Sequence, residues 1–78
     1  MHPEYIKPGF DQAKARLIEE IGEVLQAIGK CDRFGWKNCY PEGSDSNSVK
    51  LYAELSDLQF AIDAFNDEFL KKLLEGEI

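Results

Sequence analysis

The chain has 78 residues, with 15 acidic and 9 basic side chains and a formal net charge of −6. That length allows one small domain, which buries only about 60–65% of the surface its unfolded form exposes, so its core is marginal without a disulfide, a metal or a second copy. The acid excess excludes a binder of nucleic-acid polymers, which needs clustered Lys and Arg, and Cys31 and Cys39 are too few for a disulfide-built mini-protein. No apolar run approaches the ~20 residues that span a bilayer. The first ten residues, MHPEYIKPGF, lack the apolar core of a secretory signal. The expectation is a cytoplasmic domain with reduced thiols and no membrane contact.

Residues 1–10 hold Pro3, Pro8 and Gly9 and read as an irregular lead-in. Residues 11–29 read as an amphipathic helix with Asp11 as its N-cap and Gly29 as its stop. Leu17, Ile21, Val24 and Ile28 form its apolar seam, and Ile18 and Leu25 widen the arc to roughly 140° at 100° per residue. Residues 30–47 carry two glycines, a proline and a Ser/Asp/Asn cluster, and read as a loop. From Ser48, Leu51, Leu55, Leu58, Ile62, Phe65 and Phe69 alternate steps of four and three, the seam of a second helix reaching residue 75. Its tail either continues the helix or starts a short C-terminal one near Asn66. The fold class expected is all-α: a single-domain helical hairpin with its two seams facing each other. Apolar surface left over on the first helix is covered by homodimerisation into a four-helix bundle, with a homotetramer as a further option.

Each helix also carries a carboxylate pair three residues apart, Glu20 with Glu23 and Glu54 with Asp57. With Leu17 and Leu51 each placed at 0°, both pairs fall at about 300° and 240°. Ala27 lies beside the first pair, and Ala53, Ala61 and Ala64 beside the second, which leaves room for a close approach. Glu19, at about 200°, stands further from the seam and is a weaker ligand. A single such pair is usually a solvated helix face. Two pairs at matched angles are less readily accidental. Four clustered acids cannot all stay ionised without cations. Oxygen-only ligation favours Mg²⁺, with Mn²⁺ as an alternative, over iron or zinc. The only histidine is His2, so no Ser-His-Asp or Cys-His set exists, and no glycine-rich phosphate loop occurs. Cys31 and Cys39 are wrongly spaced for a zinc knuckle.

The motif E-E-I-G-E at Glu19 to Glu23, followed by E-L-S-D at Glu54 to Asp57, resembles the E-E-x-x-E … E-x-x-D signature of MazG-like nucleoside-triphosphate pyrophosphohydrolases, of the all-α NTP pyrophosphatase superfamily. The resemblance covers about residues 13–65. It implies Mg²⁺-dependent cleavage of a nucleoside triphosphate to the monophosphate and pyrophosphate, with Glu20, Glu23, Glu54 and Asp57 as catalytic metal ligands and Glu19 as an accessory one. The chain departs from the family pattern in its long linker between the half-motifs and in how little follows the second. Helices that larger relatives supply within one chain must come from a partner or be missing.

Arg16 and Lys50 each precede an acid of the motif by one turn, and Lys30 ends the same face. They either make i,i+4 ion pairs with the acids or grip substrate phosphates. In the loop, Phe34, Trp36 and Tyr40 either cap the open end of the bundle or, through Trp36 with Asn38 beside it, stack on and read a nucleobase. A rival reading makes the chain a non-catalytic dimerisation or nucleotide-binding module of the same fold.

Overall fold

Local chemistry sets both ends of the two helices. The computed structural model describes residues 9–39 and 42–78. Helix α1 spans Phe10–Phe34 and helix α2 spans Asn47–Leu74, and no strand occurs among the described residues. The expected lead-in lies mostly outside the described residues. Asp11 is not the N-cap: the chain enters α1 from an extended Gly9, whose carbonyl accepts the Ala13 N–H at 2.9 Å. Asp11 instead stands in the first turn, where its charge complements the helix dipole.

Gly29 does not end α1. The helix runs five residues further, because Cys31 lies one turn beyond Ala27 on the buried face and is fully buried there. A mid-helix glycine costs roughly 1 kcal/mol, and packing of the next turn offsets it. The stop is Gly35, whose φ of 101° is open to glycine and strained for other residues; its N–H bonds the Cys31 carbonyl at 2.9 Å. The Asn38 amide donates to the Phe34 carbonyl and caps the same end.

The loop is therefore shorter than expected, residues 35–46, and it is tied down. Cys39 and Ser46 form an isolated bridge, and the Asn47 N–H donates to the Asn38 carbonyl at 2.8 Å. The Asn47 side chain, almost wholly buried, donates to the Gly35 carbonyl at 2.9 Å. Ser48 donates to the Trp36 carbonyl through both its N–H and its hydroxyl. Helix α2 starts one residue before Ser48, with the Ser46 hydroxyl accepting the Val49 N–H. It continues without a break through Asn66 and Asp67 to Leu74, so the tail extends the helix and forms no third one.

The helices pack antiparallel. Phe10 meets Phe65 at 5.3 Å between ring centroids, and Phe65 meets Phe69 at 5.8 Å, closing the end opposite the loop. The core is Val24, Cys31 and Leu51, with Ala27 and Leu58 packed against it. The two seams meet as expected through Val24, Leu51 and Leu58, but only along one edge. On the helical wheel the contact centres near 310°, not at 0°. The helices approach through the small side chains beside the acids, Ala27 and Cys31 from α1 and Ala61 from α2. Small residues at a crossing let two helix axes come close, which large ones would prevent.

That rotation leaves much of the apolar arc of α1 bare, and two residues of the α2 seam. Ile18, Ile21, Leu25 and Ile28 on α1, with Leu55 and Phe69 on α2, are exposed. In an antiparallel pair, equal angular offsets from the contact fall on the same side, so these residues line one face and the acids lie toward the other. The described chain measures 49 × 27 × 15 Å, the thin dimension being little more than one helix diameter. It is a single layer of helices, and no helix in it is long and apolar enough to cross a membrane.

Candidate metal centre

Because the contact is centred beside the acids, the carboxylates of two helices are pressed together. Glu20 from α1 and Glu54 and Asp57 from α2 each place an oxygen within 4.8 Å of the other two. Glu20 and Glu54 are half-buried and Asp57 is exposed. One oxygen of Glu20, Oε2, is shielded from solvent and has no hydrogen-bond partner among the described residues. A buried carboxylate oxygen without a partner carries a desolvation cost that a cation would remove.

The charge balance points the same way. Burial pushes the Glu54 carboxyl above its ordinary value of 4.5, and the neighbouring charges of Glu23, Asp57 and Glu20 push it further. The Lys30 ammonium pulls against them. Glu23 stays outside the three-oxygen cluster, yet it is the strongest of the charges acting on Glu54 and shares a cavity wall with it.

The donor set suits a hard divalent ion. All three groups are carboxylates, and Mg–O distances of about 2.1 Å put opposite ligands of an octahedron roughly 4.2 Å apart. The three oxygens, all within 4.8 Å of one another, span nearly that distance.

The other expected site residues divide between two recesses. On the loop side, a cavity of about 250 Å³ is lined by Lys30, Lys50, Glu23 and Glu54, together with Gln26 and Asn47. On the opposite side, a broader recess holds Arg16, Glu19 and Glu20. The expected cations are thus separated, two on one side and one on the other. Trp36 is exposed and lines neither recess. Asn38 is spent on capping α1, not aimed at either recess. Tyr40 lies outside the described residues.

Sequence reasoning overlooked Asn47 and Gln26. Asn47 belongs to a polar cluster that reads as loop, and only its place at the first turn of α2 brings it against α1. Gln26, on the solvated side of the first helix, gave no signal that the second helix would reach it. Comparison with protein-family models, with curated proteins and with solved structures finds no match.

Proposed function

We propose that the chain is a Mg²⁺-dependent nucleoside-triphosphate pyrophosphohydrolase of the MazG-like type, working in the cytoplasm as a homodimer that completes a four-helix bundle. The observation that carries this reading is the convergence of Glu20, Glu54 and Asp57 oxygens from two helices, in the order of the motif that the sequence resembles. Glu20, Glu54 and Asp57 would hold the ion, with Glu23 completing the set from the next turn of α1; Mn²⁺ would serve in its place. Bound there, the ion supplies charge neutralisation for the phosphates and acidity to a bound water.

The remaining work falls to the chain itself. Hydrolysis adds water to the α-phosphorus and breaks its bond to the bridging oxygen, giving nucleoside monophosphate and pyrophosphate. Such transfer needs positioning and charge more than a covalent nucleophile, and this chain has no histidine-based nucleophile set to offer. Lys30 and Lys50 supply ammonium groups to phosphate oxygens. Arg16, across the acid cluster, faces the other end of the substrate.

The bare apolar face supports the dimer. Branched aliphatic side chains at Ile18, Ile21, Leu25 and Ile28 are costly to leave in water, at roughly 25 cal/mol per Å². A second layer of two helices would cover them.

A nucleotide panel assayed for pyrophosphate, with and without Mg²⁺, tests the reading. Release that requires Mg²⁺ and disappears in Asp57→Asn, with the helical fold retained, is the expected result. No release from any nucleotide, with Mg²⁺ still stabilising the fold, would leave a nucleotide-binding or dimerisation module instead.

A further inference from the structure

The two recesses beside the acid cluster differ in a way that sets a direction for the substrate. The loop-side cavity brings together ammonium groups from both helices, Lys30 near the end of α1 and Lys50 in the first turns of α2. Its carboxylates are Glu23, Glu54 and Asp45, the first two of which would help hold the proposed ion. The opposite recess sets five carboxylates against Arg16 and Lys71. Both linings carry more carboxylates than cations, the loop side by one and the opposite side by three, so a polyanion is repelled less on the loop side.

Three further features agree. The first turn of α2, which lines the loop-side cavity, carries no acidic residue, so the positive end of its dipole faces the cavity with Asp45 as the one carboxylate beside it. Its N–H groups are already bonded to Asn38, Trp36 and Ser46, so the donors an anion would meet in this cavity come from side chains. Among the described residues the apolar part of the lining is Ala27, Ala53 and Val49, with no aromatic ring on which a base would stack. At about 250 Å³ the cavity is also below the usual range for a drug-sized ligand, roughly 300–1,000 Å³.

We propose that this cavity receives the diphosphate that leaves as pyrophosphate, held between Lys30 and Lys50, so that the substrate's phosphate chain runs from the acid cluster toward the loop and its nucleoside lies on the Arg16 side. The inference rests on the metal-dependent reading above and adds polarity to it.

The test uses inorganic pyrophosphate as the probe, titrated into the full chain by calorimetry with Mg²⁺ in excess. Lys30→Gln with Lys50→Gln should weaken pyrophosphate binding about tenfold or more, since charge-assisted contacts are lost. The Mg²⁺-induced rise in melting temperature should persist in that variant. Arg16→Gln should leave pyrophosphate affinity within about twofold, because no contact of the distal phosphates is removed. Unchanged pyrophosphate affinity in the double variant, with Mg²⁺ stabilisation intact, overturns the polarity and spares the metal centre. So does a larger loss in Arg16→Gln. A parent protein that Mg²⁺ does not stabilise overturns the metal centre and this inference with it.

Discussion

Glu54 is half-buried beside three other carboxylates, with its own charge opposed by burial first and by Glu23, Asp57 and Glu20 next. Its folded-state pKa is raised, so the sign of its effect on stability is set. The contribution is fully present below the ordinary carboxylate value of 4.5 and is lost as pH rises through the folded value. Metal-free protein should therefore melt at lower temperature as pH rises from about 4.5 toward neutrality on account of this group. Glu54→Gln removes the penalty: the metal-free variant should melt higher than the parent near neutral pH and show a flatter pH profile. The same variant should lose most of the Mg²⁺ stabilisation, which for an intact site reaches about 2.7 kcal/mol at a hundredfold excess over Kd. A variant as Mg²⁺-responsive as the parent would place the ion elsewhere.

At the scale of elements, both helices and the acids on them were legible from seam periodicity and the three-residue spacing of the carboxylates. The end of α1 was not. Gly29 looks like a stop because glycine ends helices, but the stop is Gly35, and only tertiary burial of Cys31 distinguishes the two. Gly29→Ala decides between them. A Cβ there meets nothing within 4 Å, so the substitution should stabilise the protein by about 0.5–1 kcal/mol in thermal melts; destabilisation would mean that the helix ends at Gly29. The hold of α2 on the loop was equally hidden, since Asn47 reads as one more loop residue. Asn47→Ala should cost about 1–3 kcal/mol by denaturant titration, because the Gly35 carbonyl loses its donor at a part-buried site. The contact includes the seam residues Val24, Leu51 and Leu58, but its centre lies off the seam for a related reason. Periodicity finds the apolar arc but not which edge of it meets the neighbour, and here the small residues beside the acids win over the large ones.

At the scale of the whole molecule, that rotation links assembly to chemistry: it brings the acids together and turns the large aliphatic residues outward. Leu25 is 64% exposed in the single chain, where a polar substitution would be nearly neutral, within about 0.5 kcal/mol. Leu25→Asp should instead dissociate a dimer seen in sedimentation and lower the melting temperature by several degrees; a monomeric parent would remove the bundle from the account. The most direct test of the metal centre is residue-resolved line broadening in NMR spectra on adding substoichiometric Mn²⁺. Broadening should concentrate at residues 20–23 on one helix and 54–57 on the other, reflecting one ion shared across the hairpin. No broadening, or broadening spread evenly over the acidic residues of the surface, would contradict it.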